Sequence, residues 1–225
     1  VDVFGSEVGS FGSSRQMENI QRDEDCAVKR FYAYRRPVCN LLQEGNFNRP
    51  VPALSQQEVA WYIDHQLFYG FYPGVSTIGG EEAPGYAKWR RYFRGNSQCE
   101  RDRELFKEAV PLVRRLNKAG WQPETGMRSD TPGLLIERYG ELVAGENAGE
   151  LLFTLRNPGK APLRAAIWLE ACPGVPALPS GAAPRLVSLR QGQHDVVAGG
   201  VAGEPGKVAV ALAPLQTAVL KMLWP

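Results

Sequence analysis

The stretch SQQEVAWYIDHQLFYGFYPGVST, residues Ser55 to Thr77, decides the fold of the first half of the chain. Ser55 and Glu58 have the spacing of a capping box, in which each side chain bonds the other residue's backbone amide at the start of a helix. Apolar residues then recur at helical spacing as far as Leu67, and Gly70 predicts the helix end because glycine accepts the left-handed conformation that closes the last turn. The aromatic run after Gly70 is short and bounded by glycines. The segment therefore predicts a helix that leads directly into a buried strand. The polar residues off the apolar stripe of this helix are Gln56, Gln57, Asp64 and His65.

Similar elements are predicted on both sides of this segment. Val1 to Glu7 and Pro37 to Gln43 are strand-like, and Glu24 to Arg36 has the pattern of a helix that Pro37 ends. A long loop, Ser76 to Gln98, precedes the longest helix, Cys99 to Ala119, which Pro111 is expected to bend. The order β-α-β-α-β-loop-α predicts a parallel sheet with helices on its face. The stripe of the first helix consists of Val28, Phe31, Tyr32 and Arg35.

The pattern changes after Gly120. Short β-prone runs follow one another, separated by turn signals such as Asn157-Pro158-Gly159. This spacing is typical of an antiparallel β-sandwich. We place the boundary near Gly120 to Thr125, which gives a domain of residues 1–120 and a second of residues 121–225. Because no flexible linker lies between them, we expect the two to pack tightly. The predicted strands are Leu134–Arg138, Leu151–Arg156, Leu163–Glu170, Pro184–Arg190, Lys207–Leu212 and Leu215–Leu223.

Composition excludes several classes of function. The 225 residues are 44% hydrophobic and 22% charged with a net charge of +2, which is ordinary for a soluble globular protein and gives no basic footprint for nucleic acid. No stretch approaches the roughly 20 apolar residues of a membrane span, and the N-terminus does not resemble a signal peptide. The four cysteines are scattered and the chain has only two histidines, so we expect neither a zinc site nor any other cofactor.

The start of the chain is unusual, because it has no initiator Met and begins inside the strand-like run Val1-Asp2-Val3-Phe4. Three parallel strands would leave bare sheet edges and uncovered faces. We therefore expect the first 120 residues to be part of something larger, covered by preceding chain or by another subunit.

A parallel β/α region followed by a small sandwich resembles the C-terminal part of a bacterial TIM-barrel glycoside hydrolase. The similarity covers most of the chain, although none of its motifs is a catalytic signature. It implies that the strands at Val1, Pro37 and Gly70 are the sixth, seventh and eighth of the barrel. The last barrel strand is resembled by Leu67–Gly74, and the last barrel helix with its exit by Arg101–Phe106, Pro111–Leu116 and Ala119–Trp121. The first sandwich hairpin is resembled by Ile136–Gly140 with Phe153–Pro158, and the closing sandwich strand by Ala213–Leu220.

The resemblance implies where a catalytic site would lie. Active sites of TIM barrels lie at the C-terminal ends of the strands, and this rule selects Glu7 after the first strand and Glu44 after the second. Glycosidases use two carboxyl groups, one as a proton donor and the other as nucleophile or base. Both residues have an alternative interpretation as solvated loop carboxylates, and the missing strands could hold one or both catalytic acids.

Four further residues are candidates for binding a carbohydrate. Asp2 and Asn40 would face the barrel interior if their strand neighbours face the helices, but the alternative that we favour for both is a buried hydrogen-bonded layer. Tyr72 and Trp89 could stack on a sugar ring, with core packing as the alternative for Tyr72. His65 is interpreted as a solvated helix residue. In the sandwich, Trp168 is interpreted as a core residue.

Two functions from different classes remain open. The chain is either part of a carbohydrate-active hydrolase with an accessory sandwich, or a non-catalytic carbohydrate-binding or structural protein that retains the glycosidase fold. Two carboxylates that face one another across the barrel mouth would favour the hydrolase.

Overall fold

A computed structural model describes residues 4–8, 23–44, 55–77, 97–141, 149–175, 177–178 and 182–223. The helices are α1 (Asp23–Ala33), α2 (Gln56–Phe68) and α3 (Ser97–Ala119). The first three strands are β1 (Phe4–Val8), β2 (Val38–Glu44) and β3 (Phe71–Thr77). The remaining strands are β4 (Trp121–Gln122), β5 (Met127–Ser129), β6 (Leu135–Tyr139), β7 (Leu152–Arg156), β8 (Leu163–Leu169), β9 (Arg185–Ser188), β10 (Val197–Val201), β11 (Glu204–Leu212) and β12 (Thr217–Leu223). A 3₁₀ turn, His194–Val196, precedes β10.

The first three strands form a parallel sheet in the order β1-β2-β3. At the start of α2 both bonds of the predicted capping box are present, because Ser55 accepts from the amide of Glu58 and Glu58 accepts from the amide of Ser55. Gly70 has φ +63° and ends the helix as predicted. An added Cβ at Gly70 would lie 2.9 Å from the ring of Tyr139, so close packing also favours glycine at this position.

Two antiparallel sheets follow Gly120, with strand orders β10-β11-β8-β5 and β4-β6-β7-β12-β9. They share one hydrophobic core, to which Ile167 and Val210 contribute from the first sheet and Phe153 and Leu220 from the second. We call these two sheets the two-sheet unit. Strands β4, β5 and β10 were not predicted; β4 and β5 have only two and three residues, too few to show an alternating pattern.

Helix α1 packs differently from the prediction. Its apolar stripe is exposed, with relative accessibilities of 53% for Val28, 67% for Phe31 and 78% for Tyr32. The buried residues are instead Cys26, Arg30 and Ala33, which lie on the opposite face of the helix. The Arg30 guanidinium is buried because it donates to the carbonyls of Tyr34 and Arg36 that follow the helix.

Helix α2 is held between the parallel sheet and the two-sheet unit. The Asp64 carboxylate accepts from Arg190 Nη1 at 2.7 Å and from the backbone amide of Thr217 at 2.9 Å. Thr217 Oγ1 donates to the carbonyl of Asp64 at 2.7 Å, and Arg190 Nε donates to Glu108 of α3 at 3.1 Å. At the other end of α2, Thr154 Oγ1 donates to the carbonyl of Phe68 at 2.7 Å. These bonds connect α2 directly to β7, β12 and the segment after β9.

Among the described residues, no helix has the length and apolarity that a membrane-spanning helix requires.

Candidate functional site

The C-terminal ends of β1 and β2 carry the two carboxylates that the sequence singled out. Glu7 is aligned with Leu41, and Glu44, the last residue of β2, is aligned with Thr77 of β3. Glu44 is therefore part of strand β2. This corrects the expectation that it lies in the loop that follows. The offset of three residues along neighbouring strands separates the two Cα atoms by about 11 Å, from a rise of about 3.3 Å per residue and a strand spacing of about 4.8 Å.

Asn40 shows which face of the sheet the helices cover. Its side chain is fully buried, and its Nδ2 donates to Gln66 Oε1 of α2 at 2.7 Å. Asn40 therefore contacts α2, contrary to the expectation that it faces away from the helices, and its bond to Gln66 fits the alternative of a buried hydrogen-bonded layer. Binding of substrate by Asn40 stays a prediction. Since alternate residues of a strand share a face, register position 7, level with Leu41, belongs to the face opposite Asn40. Position 44 belongs to the same face as Asn40.

Behind Asn40 lies a chain of buried polar side chains. Gln66 Nε2 contacts His65 Nδ1 at 3.3 Å, and His65 Nε2 contacts Asp23 Oδ1 of α1 at 2.9 Å. Burial lowers the pKa of His65, and this arrangement satisfies a neutral imidazole that carries its proton on Nε2. The interpretation of His65 as a solvated residue is wrong, since it is only 7% exposed.

The chain of bonds continues into the two-sheet unit. Tyr69 OH donates to Asp23 Oδ1 at 3.0 Å, and Arg156 Nε of β7 lies 3.7 Å from the same oxygen. Arg156 Nη1 also donates to the carbonyl of Leu215 at 3.0 Å. Most donors and acceptors of this network are paired inside the protein, although Asn40 Oδ1 and Arg156 Nε have no hydrogen-bond partner among the described residues. The bonds connect α1, α2 and β7, and we interpret the network as a structural connection. Sequence reasoning missed it because Asp23, the end of α2 and Arg156 lie more than 40 residues apart along the chain.

The remaining predicted site residues have different outcomes. Tyr72 is partly buried and packs against the apolar cluster that α3 forms with Tyr139, which is the core role given as its alternative. Asp2 and Trp89 lie outside the described residues. Within the described part of the chain, no group of His, Cys, Asp and Glu side chains is arranged to hold a metal ion.

A further carboxylate with unusual acidity lies in the interior between α1 and the two-sheet unit. Burial raises the pKa of Glu137 to about 7, against the opposing effect of the hydrogen bond that it accepts from Trp121 Nε1 and of the nearby Arg30 charge. No periodicity in the sequence indicates this environment, because residues distant in the sequence, Trp121 and Arg30, contribute to it. A perturbed carboxylate is often functional, but Glu137 is partly buried and held by the bond from Trp121, and we assign it to the structure.

Trp168 lies on the outer face of the four-stranded sheet and is partly exposed. The interpretation of Trp168 as a core residue is therefore wrong. Lys207 Nζ lies 4.9 Å from the centre of its indole ring, and Trp168 Nε1 donates to Glu170 at 3.4 Å. The alternation along β8 places Ile167 in the core and Trp168 on the outside.

Comparison with known proteins gives only distant similarities. No protein-family model matches the sequence, and no curated protein matches it significantly. Among solved structures, an Anoxybacillus α-amylase is 12% identical with a TM-score of 0.44 over 90% of this chain and 41% of that chain. A family GH30 endoxylanase from Clostridium papyrosolvens is 10% identical with a TM-score of 0.37, over 99% of this chain and 49% of that one. A glycoside hydrolase family 30 xylanase from Clostridium acetobutylicum is 10% identical with a TM-score of 0.38, over 99% and 48%. The chain thus spans less than half the length of these three structures, and similarity at this level establishes no family.

Proposed function

We propose that this chain is part of a carbohydrate-active hydrolase of the TIM-barrel type. On this proposal β1, β2 and β3 are adjacent barrel strands within residues 1–120, and residues 121–225 are an accessory β-sandwich. The observation that supports it best is the register of β1 and β2, which brings two glutamates to the C-terminal ends of neighbouring parallel strands. That edge of the sheet is where barrel enzymes hold their catalytic groups.

Glu7 is the stronger of the two proposed catalytic carboxylates. Its register position belongs to the face opposite the buried Asn40, which would be the interior of a closed barrel. Glu44 shares a face with the buried Asn40, so a catalytic role requires that β2 has reached its end at this residue. The two Cα atoms are about 11 Å apart and their register positions lie on opposite faces, so the carboxyl groups reach the required separation of about 5 to 9.5 Å only if Glu44 departs from the alternation of β2. Hydrolysis by such a pair needs water and no cofactor.

The proposal includes further polypeptide against the exposed side of α1 and the open edge of β1. The exposure of Val28, Phe31 and Tyr32 is unusual for a helix in a packed α/β layer, where such a stripe would be covered by a neighbouring element. Among the described residues β1 pairs only with β2, and an edge strand of this kind carries backbone groups that another strand can pair with. Preceding barrel strands and helices, or another subunit, would satisfy both requirements.

Hydrolysis of a panel of aryl glycosides tests the catalytic proposal. We expect Glu7→Gln to lower kcat by at least about 10²-fold to 10⁴-fold, because the amide can neither donate the proton nor act as a nucleophile. Glu44→Gln should have a comparable effect if it is the second carboxylate, and a small effect if the partner lies elsewhere in the barrel. Glu24→Gln, at an exposed position of α1, is the matched control and should leave the rate unchanged.

Two results would contradict the proposal. Equal rates for the wild type and Glu7→Gln would remove Glu7 from the reaction. A wild-type protein without activity on any glycoside, but with measurable binding of oligosaccharides, would instead support the non-catalytic carbohydrate-binding protein that is the alternative function.

A further inference from the structure

The outer face of the four-stranded sheet contains a groove of about 570 Å³, which is within the range of roughly 300 to 1,000 Å³ that is usual for small-molecule sites. Three outward positions of β8 and β11 in the groove are alanines. Ala166 is aligned with Ala209, and Arg164 is aligned with Ala211. The space above these small side chains forms the groove, and residues outside the two strands, such as Asp130 and Asp195, also line it.

Charged side chains of both signs line the groove. Arg164 is exposed at one end, and Asp130 and Asp195 are exposed beside it. Asp130 has a fixed orientation, because its Oδ1 accepts from the amide of Ala166 at 2.9 Å and from Thr131 Oγ1 at 3.0 Å. The bond from the Ala166 amide lowers the pKa of Asp130, so the carboxylate stays charged at neutral pH. Both bonds fall on Oδ1, which leaves Oδ2 for a ligand.

This combination selects the chemistry of the ligand. The floor lacks the large apolar side chains that would bind a lipid or an amphipathic helix. Two carboxylates against one guanidinium disfavour a polyanion, and the neighbouring Arg128 and Lys207 are already paired with Glu170 and Glu204. A neutral polyhydroxylated ligand satisfies the groups present, because its hydroxyls can donate to a carboxylate and accept from a guanidinium. Trp168 does not line the groove, but it lies two residues along β8 from Ala166 and therefore on the same face of the sheet.

We propose that this groove is a binding site for a neutral oligosaccharide, separate from the strand ends that carry Glu7 and Glu44. It deepens the proposed function, since it gives the two-sheet unit a role in holding a polysaccharide chain while another part of it is cleaved. The site rests on the proposed function only for its biological meaning, because binding in the groove does not require hydrolysis.

Calorimetric titration of the full chain with maltohexaose, xylohexaose and cellohexaose tests this site. The titrations use the Glu7→Gln protein, so that binding is measured without cleavage. We expect at least one hexasaccharide to bind, and Arg164→Ala and Asp195→Asn to weaken its binding at least about tenfold each, as is usual for hydrogen bonds to charged groups. Ala209→Gln should abolish it by filling the floor of the groove. Arg185→Ala, an exposed arginine on the other sheet, should change the affinity less than about twofold.

The indole signal of Trp168 in a ¹H–¹⁵N spectrum provides a second readout, and it should shift on titration in the wild type and not in Ala209→Gln. Three outcomes would overturn the site: no binding of any hexasaccharide, equal binding by Ala209→Gln, or binding of anionic hexagalacturonate alone. Failure of the groove variants to affect binding, with Glu7 still essential for hydrolysis, would reject this site and leave the proposed function standing. Weaker binding by the groove variants, with hydrolysis unaffected by Glu7→Gln, would reject the proposed function and keep the site.

Discussion

The ion pair between Asp64 and Arg190 is predicted to be the strongest single connection between α2 and the two-sheet unit. Both side chains are nearly buried, with accessibilities of 14% and 12%. Asp64→Ala leaves the Arg190 guanidinium with Glu108 as its remaining carboxylate partner, beside the Thr217 carbonyl, and leaves the Thr217 amide without its acceptor. Removing one member of a buried pair costs about 3 to 5 kcal/mol, and the remaining bond to Glu108 favours the lower end of that range.

The expected loss for Asp64→Ala is therefore about 3 kcal/mol in the free energy of unfolding, or a decrease of about 10 °C in Tm for a chain of this size. Asp64→Asn should lose less, because the amide oxygen can still accept from Thr217. Urea unfolding measured by far-UV circular dichroism and by tryptophan fluorescence gives these values, and both signals should shift together. Glu104→Ala, on the exposed surface of α3, is the control carboxylate and should leave the midpoint unchanged.

A loss below about 1 kcal/mol for Asp64→Ala would refute this account, because a solvated pair would give such a value. A double-mutant cycle with Arg190→Met separates the two contributions. A coupling energy near zero would mean that Asp64 acts only through Thr217.

Three further predictions concern other parts of the structure. The folded-state pKa of Glu137 is raised to about 7 from 4.5, so deprotonation of this carboxyl lowers the free energy of unfolding as pH rises from 4.5 to 7. Measurements of the unfolding free energy between about pH 4 and 8 should show that Glu137→Gln removes about 3 kcal/mol of this decrease. An unchanged pH slope would contradict the burial of this carboxylate. Gly70→Ala should destabilise the protein by at least about 1 to 2 kcal/mol, because φ +63° strains any other residue and the added Cβ meets the ring of Tyr139. An unfolding midpoint equal to that of the wild type would refute this close approach. Phe31→Glu should reduce self-association of the isolated chain in sedimentation velocity experiments, and a wild type that stays monomeric at high concentration would argue that the stripe on α1 needs no cover.

Local sequence signals predicted the elements of the first half well. The capping box at Ser55 and the glycine at position 70 define α2 through bonds and dihedral angles that depend on only a few neighbouring residues. The helical stripe of α3 is likewise buried, at Ala109, Val113 and Leu116. These features could be predicted because each is determined within one or two turns of chain.

Periodicity failed where distant chain determines the environment. Asp64 and His65 look like a solvated helix face, but Arg190 and Asp23, which lie far away in the sequence, bury them. In α1 the reverse happened, because the apolar stripe was read as the packing face while Arg30 took that role through its bonds to the following turn. Register, and with it the faces of Asn40 and Glu7, could not be predicted from alternation alone, because alternation does not state which face the helices cover.

The position of α2 also limits how this protein can be rearranged by recombination. In many enzymes an accessory domain is exchanged between unrelated catalytic partners, since only a linker and a few surface contacts have to be preserved. Here the helix between two strands of the parallel sheet gives its backbone carbonyls at residues 64 and 68 to hydroxyls of Thr217 and Thr154. Tyr139 OH also donates to the carbonyl of residue 68, so a donor domain that lacks these hydroxyl groups would remove three bonds to α2 at once. We therefore expect the two halves of this chain to be inherited together, and a chimaera joined at Gly120 to be rescued only when its new partner restores these hydroxyl groups.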